Sequence, residues 1–319
     1  MARSVKLLNL VKHLSLAENH SLTKKECLEL LCVNEKEFEI ICSDLKSLVF
    51  GACVNDEKIS ILRSYEPLDE DLLFRKSKGK GRVCVLPEID STNSEILRNI
   101  DSYTDGDALL AEIQTQGRGR RGRKWSGSLG CQVLLSCAAF FDRDIELSAL
   151  PLAVGLNVAS ELEKAGFFGI KVKWPNDLYF KNAKIAGILI ESVVRHENVG
   201  AVIGIGMNVF PFEDGSLALQ KREILTLADI NPHKAHRNFV AYTLISAIRQ
   251  ACFVYKNDGF AAFKEKWPYY DYLLGKKILV NDDVNKTRGT CIGIDESGAL
   301  LLNADGILHS VKAGHVEFL

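Results

Sequence analysis

Gly117-Arg118-Gly119-Arg120-Arg121-Gly122-Arg123-Lys124-Trp125 stands between two apolar runs, Ala108–Gln114 and residues 131–140, that read as strands. Its three glycines let the backbone approach a ligand closely and turn N–H groups inward, while five cationic side chains supply charge. That combination suits a polyphosphate, because charge-assisted hydrogen bonds contribute about 1.5–3 kcal/mol each. A solvated basic loop and an Arg/Gly tail for nucleic acid are the blander readings of the same composition. A disordered tail has no reason to lie between two buried strands, and Trp125 gives the loop an aromatic anchor.

Outward from this loop, strand-like runs at 83–86, 170–174, 184–192 and 199–209 alternate with amphipathic helices at 150–164 and 237–255, which indicates a mixed α/β or α+β domain. From residue 275 onward, short β runs at 277–280, 290–294, 299–302 and 307–311 are separated by Asn281-Asp282, Glu296-Ser297-Gly298 and Asp305-Gly306, the turn chemistry of a small β-barrel. Toward the N-terminus, three short helices precede two β-like runs around 52–62. Thr23-Lys24-Lys25-Glu26 forms a capping-box pattern, and Asn34 with Glu37 offers the next N-cap. This order is that of a winged helix-turn-helix, with Thr23 to Leu45 as the DNA-binding unit. The third helix nevertheless carries Glu35, Glu37, Glu39 and Asp44 against Lys36 and Lys46, a sign that opposes phosphate binding. Two readings of residues 1–65 therefore stand: a working DNA-binding domain, and one that has lost DNA binding. The basic, glycine-containing stretch from Arg75 to Arg82 marks a linker, placed at 66–82.

The 319 residues correspond to roughly two domains at about 150 residues each, although the pattern argues for three. A formal net charge of −1 gives no overall attraction to nucleic acid or anionic membranes, so such a partner needs a local patch. No run approaches the ~20 apolar residues of a membrane span. Met1-Ala2-Arg3-Ser4 leads into an interrupted amphipathic stretch, so a cytoplasmic protein is expected. Nine cysteines without a Cys-x-x-Cys pair point to buried thiols in a reducing compartment rather than disulfides or zinc.

Three further stretches carry chemistry. Lys173-Trp174-Pro175-Asn176-Asp177 ends one strand, and Lys184-Ile185-Ala186-Gly187 opens the next. A lysine heading an apolar strand is partly desolvated and needs an anion, unless it snorkels to solvent. Asp90-Ser91-Thr92-Asn93-Ser94-Glu95 clusters hydroxyls and amides at a helix start, for capping or for a polar ring. Gly204-Ile205-Gly206-Met207-Asn208-Val209 brings bare backbone and an amide to a strand end, where a flat base fits.

Together these motifs resemble the biotin protein ligase family, in particular the bacterial bifunctional kind that also represses the biotin operon. The resemblance covers about residues 83–319 in order and spacing, and the first 65 in length and element order only. It implies an α+β chain: a winged helix-turn-helix at 1–65, a biotin/ATP-binding catalytic domain at 83–272 related to class II aminoacyl-tRNA synthetases, and an SH3-like domain at 273–319. It implies biotin and ATP as substrates with Mg2+, biotinyl-5'-AMP as intermediate, and transfer to a lysine of the biotin carboxyl carrier protein of acetyl-CoA carboxylase. Biotin operator DNA and a homodimer through the central sheet are implied partners.

By resemblance, Lys184, Arg118 and Arg120 are catalytic. The biotin contacts are Ser91, Thr92, Asn93, Gln114, Arg118, Gly119, Arg120, Lys184 and Gly187. The ATP contacts are Gly117, Arg120, Arg121, Lys124, Trp125, Asn176 and Asn208, with Asp177 as a Mg2+ ligand or an orienting residue. The arginine loop is expected to close over the adenylate and exclude water. A lipoate ligase of the same fold lacks support, because an Arg-Arg-x-x-Gly-Gly-Gly-type loop is absent, and an octanoyl-transferring relative would need an activated thiol, for which Cys131 and Cys137 inside an apolar strand are poor candidates. A ligand-sensing DNA-binding regulator without ligase activity leaves the paired loop and Lys184 unexplained.

Overall fold

The computed structural model describes residues 3–212, 224–282 and 285–319. At the N-terminus, helices α1 (Arg3–Leu16), α2 (Lys24–Leu31) and α3 (Glu35–Leu48) pack on a small sheet of β1 (Ser21–Thr23), β2 (Cys53–Val54) and β3 (Lys58–Ser60), ordered β1-β3-β2. Thr23 and Glu26 form the expected capping box, and Asn34 Oδ1 accepts from Glu37 N at 2.9 Å. Each such cap contributes typically ~1 kcal/mol. Leu7, Leu10 and Leu14 of α1 meet Phe38, Ile41 and Leu45 of α3 in a second core, which also takes in Ile113 and Leu129 from the larger unit. The sequence gives two strands here; β1 adds a third, too short for alternation to reveal.

The segment read as a linker contains a helix, α4 (Glu70–Lys76), capped by Asp69, with Leu73 fully buried in the central core. The neighbouring run of basic residues masked its apolar contacts. Next come β4 (Val83–Ile89), α5 (Thr92–Arg98), β5 (Ala108–Gln114), β6 (Gln132–Phe141), α6 (Leu150–Lys164), β7 (Ile170–Lys173), β8 (Asp177–Phe180), β9 (Ala183–Val194), β10 (Val199–Asn208) and the long helix α7 (Arg237–Asp258). The strands form one seven-stranded sheet, β4-β5-β6-β10-β9-β8-β7, in which β4 and β5 are parallel and the other neighbours antiparallel. It is the mixed sheet expected.

One face of this sheet, with Leu110, Val133, Leu135, Ile188, Ile203 and Ile205, shares its core with Ala153 and Leu156 of α6 and Leu244 and Ile248 of α7. The other face carries the glycines and polar residues described below. Beneath the sheet, the fully buried Arg237 heads α7. Its Nη2 donates to Glu112 Oε2 at 2.7 Å, Nε to Gln132 O at 2.9 Å and Nη1 to Glu66 O at 2.6 Å. Glu66 in turn accepts from Arg237 N, and Glu112 from Leu68 N. Burial works against the Arg237 charge, and Glu112 foremost among its partners raises its pKa despite that.

The C-terminal strands β11 (Lys277–Asn281), β12 (Lys286–Ile294), β13 (Leu300–Ala304), β14 (Ile307–Val311) and β15 (His315–Phe318) form an antiparallel sheet ordered β14-β13-β12-β11-β15. Asp305 and Gly306 take positive φ in the β13–β14 turn, as a two-residue hairpin requires. Trp174 Nε1 donates to Gly298 O at 3.0 Å, and Ile278, Val280 and Leu300 join the central core. The sequence reading missed β15. All nine cysteines are free and six of them are buried, with burial raising the thiol pKa of Cys137 to about 12. No helix among the described residues is long and apolar enough to cross a membrane.

Replacing Glu112 by Ala leaves the Arg237 cation buried without its carboxylate. Urea unfolding should register a loss of about 3–5 kcal/mol; a change under about 1 kcal/mol would show that the remaining carbonyl partners suffice.

Candidate functional site

The register of three strands builds the site. On β6, β10 and β9, Ser136 faces Gly204 and Gly204 faces Leu189; two residues along, Leu134 faces Gly206 and Gly206 faces Gly187; Gln132 faces Asn208 at the end. Side chains two apart on a strand share a face, so these residues line one surface with a strip of bare backbone at its centre. Gly187 pairs with Asp177 of β8, which extends the strip.

Lys184 should point away from this surface, because it lies three residues before Gly187. The pairing instead steps from Leu178–Ala186 to Tyr179–Lys184, leaving Ile185 as an extra residue on β9. This bulge shifts the alternation by one and turns Lys184 onto the glycine face. There its Nζ lies 2.7 Å from Asp177 Oδ1 and 5.3 Å from the centre of the Trp125 ring.

The glycine-arginine loop lies over the strip. Gly117 O accepts from Trp125 N at 2.9 Å and Arg123 O from Gly119 N at 2.7 Å, so the loop closes on itself through a tight turn at Arg120–Gly122 with Arg121 at φ 55°. Trp125 rests on the bare backbone: a Cβ on Gly206 would stand 2.3 Å from the indole, and one on Gly187 would lie 3.1 Å from it. Only glycine admits so close an approach. The buried indole Nε1 finds no hydrogen-bond partner among the described residues.

The cations divide by partner. Arg118 Nη2 donates to Glu191 Oε2 at 2.6 Å, and Arg120 Nη1 to Asn176 Oδ1 at 2.8 Å. Burial lowers the Arg120 pKa, while Asp177 works in the opposite direction; a guanidinium still keeps its charge at neutral pH. Arg121, Arg123 and Lys124 are exposed on the outside of the loop. Beside the loop, an open pocket of about 590 Å³ is bounded by residues 115–124, Leu189 and Glu191.

At the opposite end from Asn208, a polar network runs beneath the start of α5. Ser91 caps that helix. Thr92 N donates to Gln114 Oε1 at 2.8 Å, and Thr92 Oγ1 lies 2.7 Å from Ser136 Oγ. Ser136 Oγ donates to Asn93 Oδ1 at 2.6 Å, and Asn93 Nδ2 donates to Glu191 Oε2 at 3.0 Å. The structure thus brings Thr92, Asn93, Gln114, Arg118, Arg120, Asn176, Asp177, Lys184, Gly187 and Asn208 to one face and its covering loop. The Ser91 hydroxyl is occupied by capping and the Gly119 N–H by the loop itself. Ser136, Gln132 and Glu191 were missed as site residues. Their signal was a polar side chain inside or at the end of an apolar strand, buried in two of the three cases.

Known proteins resemble this chain over the same units. Residues 85–208 match the Biotin/lipoate A/B protein ligase family, and residues 273–319 match the Biotin protein ligase C terminal domain. The chain is 36% identical over 242 residues to the bifunctional ligase/repressor BirA of Escherichia coli, covering 74% of each. It belongs to the biotin protein ligase family. The biotin--[acetyl-CoA-carboxylase] ligase of Paracoccus denitrificans is 29% identical, with 73% of this chain aligned to 99% of that protein. Among solved structures, the biotin protein ligase from Aquifex aeolicus in complex with biotin and ATP superposes with a TM-score of 0.63 at 28% identity, covering 74% of this chain and 97% of that one. The two ligase-family matches lie beyond residue 84, over the units that carry the glycine strip and the last sheet.

Gly206→Ala should lift the Trp125 indole from the sheet. Trp174 and Trp267 are each only 2% exposed, so increased acrylamide quenching would report Trp125, with folding stability changed by under about 1 kcal/mol. Unchanged quenching would mean that the indole does not rest on Gly206 in solution.

Proposed function

We propose that this chain is a biotin protein ligase whose glycine strip and covering loop hold biotin at the Asn93 end and ATP at the Asn208 end. A biotin carboxylate oxygen attacks the α-phosphorus and pyrophosphate leaves. A lysine amine of the acceptor then attacks the acyl carbon of biotinyl-5'-AMP, and AMP leaves. The observation that carries this reading is the bulge at Ile185, which sets Lys184 on the same face as the glycines and beneath the loop that bears Arg118 and Arg120. Three cations aimed at one region favour a transition state in which negative charge gathers at the acyl-phosphate linkage.

Thr92, Asn93 and Gln114 serve the biotin ring, with Ser91 shaping the helix start. Arg118 and Arg120 exchange their present partners for carboxylate and phosphate oxygens, and Gly117, Gly119, Arg121, Lys124 and Trp125 form the lid that excludes water. Lys184 offsets the repulsion between biotin carboxylate and ATP. Asn176 steadies Arg120, Gly187 leaves room, and Asn208 meets adenine. Mg2+ arrives with the nucleotide. No group of three His, Cys, Asp or Glu residues suited to a metal occurs among the described residues, and Asp177 Oδ1 already faces Lys184. We therefore assign Asp177 first to orienting that lysine, with the ion held chiefly by phosphate oxygens.

We read residues 1–65 as a winged helix-turn-helix, 83–272 as the catalytic domain akin to class II aminoacyl-tRNA synthetases, and 273–319 as SH3-like. The acceptor is a biotin carboxyl carrier protein, the compartment the cytoplasm and the assembly a homodimer through the central sheet. A second role as repressor gains support from the ion pairs of α3. Glu37 is bonded to Lys6 at 2.6 Å and Asp44 to Arg3, both of α1. The outward side of α3 keeps Lys36, Ile40, Ser43, Lys46 and Ser47 alongside Glu35 and Glu39. Two of the four acidic residues thus lie away from a groove, and the charge objection is halved.

Biotin-dependent ATP–pyrophosphate exchange tests the ligase. Lys184→Gln should lower its kcat by about 10²–10³ with the circular dichroism spectrum retained, and lipoate should not replace biotin. Full activity of this variant would remove the catalytic assignment. Repression predicts a mobility shift of biotin operator DNA at low salt with biotin and ATP present, weakening steeply as salt rises. No shift at low salt would leave the chain a ligase alone.

A further inference from the structure

Gln132 and Asn208 are direct cross-strand partners at the nucleotide end of the glycine face, and both are buried, at 4% and 5% exposure. A buried amide in an apolar strand is costly unless hydrogen-bonded. Gln132 Nε2 lies 3.4 Å from Ser126 O and 2.7 Å from Asn208 Oδ1. A backbone carbonyl only accepts, so the Gln132 amide must direct its NH2 toward Ser126. Its other N–H then requires Asn208 to present its oxygen. The Asn208 NH2 is thereby left to face a ligand as a donor.

We infer that Gln132 is a specificity-determining positioning residue: it fixes Asn208 as a hydrogen-bond donor toward the N1 edge of the base, so the site prefers adenine, whose N1 accepts, to a 6-oxopurine, whose N1 bears a hydrogen. This rests on the reading of Asn208 as the base contact. Two features hold Gln132 in place. Arg237 Nε donates to its carbonyl from beneath the sheet, and its side-chain oxygen fills the space beside Gly127, where a Cβ would stand 1.7 Å away. Ser126 and Gly127 directly follow the loop that carries Trp125, so the relay also ties the loop exit to the base site. A free Asn208 would rotate to suit either donor or acceptor, as an unrestrained amide does.

The test is biotin-dependent pyrophosphate exchange with ATP and with ITP, whose base carries N1–H where adenine has a lone pair. Gln132→Met should raise KM for ATP about tenfold, the loss of one oriented hydrogen bond, with kcat and the KM for biotin little changed. The ATP-over-ITP ratio of kcat/KM should fall by a similar factor. Gly127→Ala, which displaces the amide without altering it, should move the same two quantities in the same direction. Should both variants keep the parent ratio, or should Gln132→Met raise the KM values for biotin and ATP alike, the relay is wrong. Asn208→Ala separates the two readings: an unchanged KM for ATP there would sink the base contact itself, whereas a raised KM there with an unmoved Gln132→Met would sink the relay alone.

Discussion

The site depends on the antiparallel ladder in which β10 pairs with β6 on one side and β9 on the other. Ten consecutive residues of β10 are matched to β6, so the set of side chains on each face is fixed together. A slip of one residue would send Gly204, Gly206, Ser136 and Asn208 into the core and Ile203, Ile205 and Met207 onto the ligand face. Burying the apolar set, at about 1.5–3 kcal/mol for each large side chain, makes that slip prohibitive. The hydrophobic core under α6 and α7 thereby specifies where bare backbone lies on the opposite face. The bulge at Ile185 is the one departure from strict alternation between β8 and β9, and it is what turns Lys184 onto the glycine face.

Arg237 links stability to the site. A fully buried cation is tolerated here because Glu112 and the carbonyls of Gln132 and Glu66 satisfy its donors. Its carboxylate partner lies two residues before Gln114, and its carbonyl partner Gln132 faces Asn208. The guanidinium therefore fastens β5 to β6 at the end of the sheet where Gln132 faces Asn208, and also secures the segment leading from the N-terminal unit. Disturbing it would loosen the β5–β6 scaffold and the glycine face together.

Periodicity and caps made most of the fold readable. Thr23 with Glu26 and Asn34 with Glu37 announced α2 and α3, and the apolar runs at 108–114 and 150–164 became β5 and α6 with those bounds. The three-residue β1 and the four-residue β8 and β15 are too short to show alternation, and α4 was hidden beside a basic run. Within the site, clustered glycines and arginines and the strand-heading lysine stood out by composition. Ser136 and Gln132 did not, since a lone polar residue in an apolar strand gains meaning only when the register shows which face it occupies. The acidic count of α3 is incomplete for a related reason. Sequence gives the sign of Glu37 and Asp44 but not their direction, and both turn toward cations of α1.

The pairing of the cations explains how a charged loop can lie over an apolar sheet without ligand. Arg118 is held by Glu191, Arg120 by the neutral Asn176 and Lys184 by Asp177. Each positive group has thus already lost part of its hydration and has a partner that a carboxylate or phosphate can join or replace. An anion reaching these groups would meet donors already partly ordered, with 43% of the Arg118 and 29% of the Lys184 side chain still exposed, and would exchange partners with them. Arg120 gains most, because burial depresses its pKa and its present hydrogen-bond partner carries no charge. Of these three cations Arg120 alone therefore has an uncharged partner, the one least able to offset its burial.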